Sequence, residues 1–450
     1  MGEYFSDLRD IRFVLFEQLK AHELSKTETF ADFDQEMMDA IITEGYKFAR
    51  EVVAPVNEEG DQVGCTAKDG KAFMPECYGP VLKAWGENAW SGLIENPEYG
   101  GQGGPHVLGS AVDELFSGAC TALALTPMLT VGSAHLIEKF MEGDYHKNIC
   151  LERMYALDWA GTMCLTEPQA GTDVGAVRTK AILNDDGTYS ITGTKNFISS
   201  GDQQFTENII HLLLARTENA PAGTRGISLF LVPKIRYDDQ GGLTEPNDVT
   251  CASIEHKMGI HGSPTCVLNF GENDDCIGYL VGEENKGMKL MFFMMNEARI
   301  HVGMQGLAII SSAYEKALRY ANERLQGSSI REFKNPDAPK VPIVEHPDIK
   351  RMLMTMKTYG DGLRSLCLTL AWHIDKKKVA GDDKEKDYHN GMIEVLTPIV
   401  KAYGTDTAVD MANYGIQVLG GYGYCTEYEL EGLARDARIA PIYEGTNGVQ

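Results

Sequence analysis

The sequence predicts an α+β multidomain chain: a helical first part, a middle antiparallel β-barrel domain and a helical third part. Three observations point there. The apolar period is that of helices to about residue 157, becomes that of strands from 158 to 284, and returns to that of helices from 285 to 450. Pro and Gly cut the middle region into short runs, the pattern of a small antiparallel barrel. A chain of 450 residues is long enough for several domains and a large buried core.

Leu8, Ile11, Leu15 and Leu19 recur at spacings of three and four, as do Ile41, Gly45, Phe48 and Val52. Pro55 is expected to stop the second of these helices, because its ring cannot continue the hydrogen-bond ladder. The run Tyr99-Gly100-Gly101-Gln102-Gly103-Gly104-Pro105 reads as a glycine-rich turn. It is not a dinucleotide fingerprint, since the last glycine of that pattern would fall at His106. The uncharged window Phe116–His135 holds Pro127 and many small or hydroxylic residues, so it predicts a buried core helix, not a membrane span. In the middle region, Asp186-Gly187 between Ile182-Leu183 and Tyr189-Ile191 predicts a hairpin, because Gly tolerates the positive φ of tight turns. Gly226–Val232 predicts a further strand. Beyond it, Leu307, Ile310, Tyr314, Ala317, Ala321 and Leu325 make one helical stripe, and the charged stretch Asp382–Asp387 predicts a solvated helix junction.

The formal net charge is −24, which disfavours nucleic acid and anionic membrane surfaces as partners. An anionic ligand would need a local pocket of basic side chains or backbone N–H groups. The ten cysteines are dispersed, with no C-x-x-C pair and no zinc-ligand spacing, as in a protein of a reducing compartment. The N-terminal MGEYFSDLRD lacks an apolar core, so no secretory signal is expected, and the reading is cytoplasmic.

The G-x-S-x-G elbow, H-E-x-x-H and the Walker loop are absent from the sequence. Three segments carry chemistry instead. Met163-Cys-Leu165-Thr166-Glu-Pro-Gln-Ala-Gly-Thr172-Asp173 packs hydroxyls, Gly and N–H groups into one turn suited to ring edges or phosphate oxygens. In Thr194-Lys-Asn-Phe197-Ile198-Ser199-Ser-Gly201, an aromatic two places from a hydroxyl puts both on one strand face, so a planar heterocycle can stack on Phe197 beside Ser199. The third comprises Gln417-Val-Leu-Gly420-Gly421-Tyr-Gly423, Arg435-Asp-Ala-Arg438 and Ile442-Tyr-Glu444-Gly445-Thr446-Asn-Gly448. A carboxylate such as Glu444 beside an apolar stretch has its charged form disfavoured, which raises its pKa toward that of a general base. Taken singly, the turn is more often structural, a core Phe at least as frequent, and a solvated Glu the default for these segments.

Together, and in this order and spacing, the five motifs Leu165–Asp173, Phe197–Ser199, Gln417–Gly421, Arg435-Asp436 and Ile442–Thr446 resemble the acyl-CoA dehydrogenase family over essentially the whole chain. Tyr4–Leu15 and the insertion Asn335–Asp348 look like the longer bacterial subfamily that includes 3-methylthiopropanoyl-CoA dehydrogenase. The resemblance implies domains at 1–157 (helical), 158–284 (β-barrel) and 285–450 (four-helix bundle), with further chain following Glu444 in relatives.

It also implies FAD as cofactor and an acyl-CoA as substrate, oxidised to the trans-2-enoyl-CoA with electrons passed to electron-transfer flavoprotein. Glu444 would take the α-proton. The alternative position for the base in some members is Ala298 here, which cannot accept a proton, and Glu297 should point elsewhere on its helix. By the same carry-over, Met163, Leu165, Thr166 and Thr172 would line the isoalloxazine and phosphates, and Phe197, Ile198 and Ser199 would cover one ring face. Arg324, Gln417, Gly420 and Gly421 would reach the adenosine diphosphate portion, often that of a neighbouring subunit, and Thr446 falls at a flavin contact. Asn296, Arg299 and Gly445 match substrate-side positions. Gln326-Gly327 and Pro347 depart from the compact members. The family implies a homo-oligomer, dimer or tetramer. Rival readings are an oxidase of the same fold and a non-catalytic scaffold relative, and the acyl group stays open among straight, branched, cyclic and thioether chains.

Overall fold

The computed structural model describes residues 4–332 and 334–449; Met1–Glu3, part of the charged N-terminal segment, lie outside them, as do Phe333 and Gln450. In chain order the main helices of the first part are α1 (Gln35–Phe48), α2 (Tyr78–Glu87), α3 (His106–Ala119), α4 (Thr121–Phe140) and α5 (Tyr145–Tyr155). The main strands follow: β1 (Trp159–Cys164), β2 (Lys180–Leu183), β3 (Tyr189–Ser199), β4 (Asn208–Ala215), β5 (Ser228–Pro233), β6 (Val249–Ile254), β7 (Thr265–Phe270) and β8 (Ile277–Val281). The last part holds α6 (Gly287–Glu323), α7 (Pro347–Lys378), α8 (Asp383–Leu419) and α9 (Leu430–Ala437). By packing, the chain forms two compact units. One comprises residues 1–58, 104–121 and 299–450, the other residues 59–103 and 122–298.

The second of these units is built on an eight-stranded sheet in the order β6-β7-β3-β8-β5-β4-β1, with β2 paired to β3 off that path. The pairs are antiparallel with one exception: β1 runs parallel to β4, so the sheet is mixed where the sequence reading had it antiparallel. Parallel neighbours need a long crossover, and the chain that forms β2 and β3 supplies it. A single parallel bridge, Lys180 to Arg216, ties β2 to the end of β4. No ladder joins the two end strands β6 and β1 among the described residues. Strand β4, Asn-Ile-Ile-His-Leu-Leu-Leu-Ala, is buried at every position because strands flank it on both sides and apolar layers cover both faces. The hairpin forms where Asp186-Gly187 predicts it, with Gly187 at a φ of 87° and Leu183 opposite Tyr189. Met291, Met294 and Met295 are all buried in this unit's apolar cluster, beside Leu129, Leu136 and Leu290.

In the other unit, α6, α7 and α8 share a core of Leu307, Ile310, Leu363, Leu370, Ala408 and Met411. The predicted stripe on α6 is buried at Leu307, Ile310, Ala317 and Ala321, whereas Leu325 lies beyond the helix end and is exposed. Asp382 caps α8, accepting the Glu385 N–H at 2.8 Å, so the charged junction works as a helix start.

Three helical expectations shift. The buried stripe of α1 is Met38, Ile42, Gly45 and Phe48, one position displaced from Ile41. Pro55 does not end the helical run: the backbone passes through a π turn at Ala49–Val53 and a 3-10 turn at Ala54–Val56, then resumes as helix at Asn57–Val63. Proline is tolerated at the first turn of a new segment, where its missing N–H would be unsatisfied anyway. The uncharged window at 116–135 straddles a break at Cys120, whose extended backbone separates α3 from α4. Among the described residues, no helix is long and apolar enough to cross a membrane.

Candidate active site

In the sheet-containing unit, Met163 is the last residue but one of β1, and the chain leaves the sheet through the turn Leu165–Asp173. That turn is fastened to β3 from inside. Lys195 Nζ donates to the Leu165 carbonyl at 3.1 Å and to Glu167 Oε1 at 2.9 Å, and the Asn196 N–H donates to the Thr166 carbonyl at 2.8 Å. Glu167 also accepts from the Thr179 hydroxyl at 2.6 Å and from the backbone of Arg178 and Thr179. Burial alone would raise the Glu167 carboxyl, but Lys195 and the Thr179 and Arg178 donors outweigh it and hold the group at about 2.

The strand β3 carries a bulge at the residues of interest. Lys195 is opposite Leu268 and Ile198 opposite Cys266, so Asn196 and Phe197 together face the single residue Val267. Phe197 adopts a left-handed φ of 58° and the residue is 60% exposed. The bulge turns the Ile198 side chain into the core, leaving Phe197 and Ser199 with the opposite face. Ser200, also left-handed at 50°, is buried, and its hydroxyl lies 2.9 Å from that of Thr126 on α4. Sequence and structure therefore bring Met163, Leu165, Thr166, Phe197 and Ser199 onto two segments bonded to each other, with Thr172 exposed on the same turn.

On α6, Asn296 is exposed and Ala298 buried. Glu297 is engaged elsewhere: its Oε2 lies 3.0 Å from His135 Nδ1, while Glu95 takes the other ring nitrogen. Burial opposes a charge on His135, yet the two carboxylates hold it protonated well above the usual range.

The helical unit carries Glu444, Arg299, Gly445, Thr446 and a cavity. Glu444 is partly buried, with a left-handed φ of 55°, and Gly445 follows at 91°. Arg299 Nε donates to the Glu444 carbonyl at 3.3 Å. Burial lifts the Glu444 carboxyl to about 7, against the opposing pull of Arg299 and Lys401. Lys401, fully buried on α8, donates to the Gly445 carbonyl at 2.7 Å and to Asn447 Oδ1 at 2.8 Å. A carboxylic group balanced near neutrality on a strained loop can gain or lose a proton at physiological pH.

The cavity, of about 550 Å³, brings together Arg324, Gln417, Gly420 and Gly421 with Tyr320, Tyr422 and Cys425. Arg324 stands over the Tyr422 ring, 5.7 Å from its centroid, and a Cβ on Gly420 or Gly421 would meet nothing within 4 Å. A cationic side chain, aromatic walls and open backbone suit a nucleotide diphosphate, and the exposed, conformationally held Phe197 suits a flat ring system. The residues present thus fit FAD. Gln326 and His346, at the departure from compact members, also line this cavity, with His346 Nε2 donating to the Gln326 carbonyl at 2.7 Å. Arg435 of the Arg-Asp motif pairs with Glu431 one turn earlier on α9.

Sequence reasoning missed Lys401, Asn447 and the His135–Glu95–Glu297 cluster. Lys401 had a signal, a lysine within Pro398-Ile-Val-Lys-Ala402 on a core helix. The His135 partners, 40 and 162 residues away, had none.

Comparison with known proteins identifies the family. Family models described as the acyl-CoA dehydrogenase middle domain and C-terminal domain match residues 162–272 and 285–450. The chain is 39% identical to a 3-methylmercaptopropionyl-CoA dehydrogenase of Ruegeria pomeroyi over 99% of its own length and 75% of that protein's. It is 38% identical to a butyryl-CoA dehydrogenase of Syntrophomonas wolfei, covering 99% of the chain and 74% of the relative. An acyl-CoA dehydrogenase from Bacillus anthracis, solved in complex with FAD, superposes with a TM-score of 0.75 at 26% identity, covering 93% of this chain and 65% of that one. The chain belongs to the acyl-CoA dehydrogenase family: it is an oxidoreductase acting on acyl-CoA, a flavoprotein of fatty acid metabolism whose cofactor is FAD.

Proposed function

We propose that Glu444 is the base of an α,β-dehydrogenation that converts an acyl-CoA thioester to the trans-2-enoyl-CoA. FAD, when bound, would supply the acceptor for the β-hydride, with electron-transfer flavoprotein as the onward acceptor of the electrons. The observation that carries the reading is Glu444 itself: a carboxyl lifted to about 7 on a strained loop, with Arg299 and Lys401 beside it. Such a group is ionised often enough to accept the α-proton and basic enough to hold it. The loop's backbone N–H would polarise the thioester oxygen, an oxyanion-hole role in which fixed donors meet developing charge. Asn296, Arg299 and Gly445 would orient the thioester, and positioning of this kind supplies part of the rate.

In this reading Met163, Leu165, Thr166 and Thr172 border the isoalloxazine and phosphates. Phe197 and Ser199 cover one ring face with Ile198 backbone beneath, Thr446 touches the flavin, and Arg324, Gln417, Gly420 and Gly421 hold the adenosine diphosphate. The three spans 1–157, 158–284 and 285–450 are its domains, and the enzyme works as a homo-oligomer.

Anaerobic titration with acyl-CoAs, following the flavin band near 450 nm, tests the chemistry. The relatives named for 3-methylmercaptopropionyl-CoA and butyryl-CoA make short thioether and straight chains the first of the panel. The variant Glu444→Gln should keep FAD and acyl-CoA binding while losing flavin reduction by about three orders of magnitude. Near-normal reduction in that variant would remove Glu444 from the role.

A further inference from the structure

The proposed base does not stand alone on its loop. Both carbonyls of the Glu444–Gly445 pair are taken by cationic side chains: Arg299 Nε donates to that of Glu444 at 3.3 Å, and Lys401 Nζ to that of Gly445 at 2.7 Å. Lys401 also donates to Asn447 Oδ1 at 2.8 Å. The Asn447 amide in turn donates to Thr405 Oγ1 and Asp406 Oδ1, both at 2.9 Å, and to the Ala402 carbonyl at 3.2 Å. The stretch Lys401–Asp406 of α8 thus grips the loop on the C-terminal side of Glu444.

This arrangement is costly. Lys401 has no solvent exposure, and an ammonium removed from water is unfavourable unless its donors are well matched. Glu444, held in the left-handed region just before Gly445, adds strain to the same loop. A methionine of similar volume would avoid the desolvation, so packing alone does not account for a lysine here.

We infer that Lys401 is a positioning residue for the reaction: it locks the Glu444–Gly445 peptide in its left-handed conformation and adds a positive charge beside the Glu444 carboxylate. The inference rests on Glu444 being the base. The charged and titratable groups around that carboxyl are Arg299 from α6, Lys401 from α8 and Tyr443 on its own loop, with Asp406 beside Lys401. Removing the lysine takes away a charge that favours ionised Glu444, so the carboxyl must titrate at higher pH. Removing the Asn447 amide loosens the loop and leaves that charge in place.

The test is anaerobic stopped-flow reduction of the FAD-loaded enzyme by its acyl-CoA, measured across pH for wild type, Lys401→Met, Asn447→Ala and Glu444→Gln. Lys401→Met should retain FAD, reduce about 100-fold more slowly at neutral pH, and show its rate midpoint moved to higher pH. Asn447→Ala should slow reduction with the midpoint unmoved. Lys401→Met reducing within threefold of wild type at an unshifted midpoint, while Glu444→Gln is inactive, would overturn the inference and leave the base assignment standing. Wild-type reduction by Glu444→Gln would instead overturn the base assignment and this inference with it. If Lys401→Met fails to hold FAD, Asn447→Ala decides: wild-type speed in that variant overturns the inference.

Discussion

Lys195 Nζ lies 2.9 Å from Glu167 Oε1, with the lysine fully buried and the carboxylate almost so. The pair joins the two segments assigned to the flavin ring, and each partner is also bonded to backbone or hydroxyl donors and acceptors. Removing one member strands the other charge in the interior. Lys195→Met is therefore expected to destabilise the protein by about 3–5 kcal/mol in urea unfolding and to shed FAD. Glu167 titrates below its unfolded value, so its contribution is fully present above about pH 4.5 and is lost as pH falls through about 2. A transition flat across that acid range would show that the ionised pair contributes nothing to stability.

The proton-accepting form of Glu444 is the carboxylate, and burial sets its midpoint at about 7. Flavin reduction by acyl-CoA should rise roughly tenfold per pH unit below that midpoint and level off above it. A profile already level at pH 5 would mean that another group, or an ordinary solvated carboxylate, limits the step.

Phe197, a mostly exposed residue, holds a left-handed backbone, a conformation that glycine adopts without strain. Phe197→Gly is expected to stabilise the apoprotein by about 1 kcal/mol in urea, because little apolar contact is lost. The same variant should bind FAD about 5–10-fold more weakly, by loss of the stacking surface. Lower apoprotein stability would show that the ring packs against protein and not chiefly against cofactor.

In the glycine-rich turn, a Cβ on Gly101 would come within 2.3 Å of the Glu95 backbone carbonyl. Gly101→Ala must push apart two stretches of main chain, at a cost of about 1–3 kcal/mol in thermal or urea unfolding. Glu95 contacts His135, so the displacement should also register at that cluster, for example as an altered histidine titration by NMR.

The order helix, strand, helix was legible because hydrophobic period is a local property, and the Asp186-Gly187 hairpin because turn chemistry is too. The motif residues Arg324, Gln417, Gly420 and Gly421 converge in one cavity although nearly a hundred residues separate the first from the others. That convergence was readable only through family likeness, since nothing in their spacing brings them together. Local rules failed where tertiary packing decides. The parallel pairing of β1 with β4 depends on a crossover, the run through Pro55 on a π turn, and the burial of Lys401 on partners more than forty residues away. The bulge at Asn196–Phe197 kept the predicted face for Phe197 and Ser199 by a register shift that strict alternation does not anticipate.

Of the ten thiols, seven are buried, and burial pushes those of Cys65 and Cys77 up to about 12 and about 11. Cys425 alone is exposed, and it sits on the wall of the cavity that holds Arg324 and Gln417. If that cavity seats the dinucleotide as proposed, Cys425 reports its occupancy: a mild alkylating reagent will modify one cysteine, and the bound dinucleotide will shield it. Protection from alkylation can be followed by intact mass as cofactor is added, giving a binding curve for that cavity independent of any colour change or turnover.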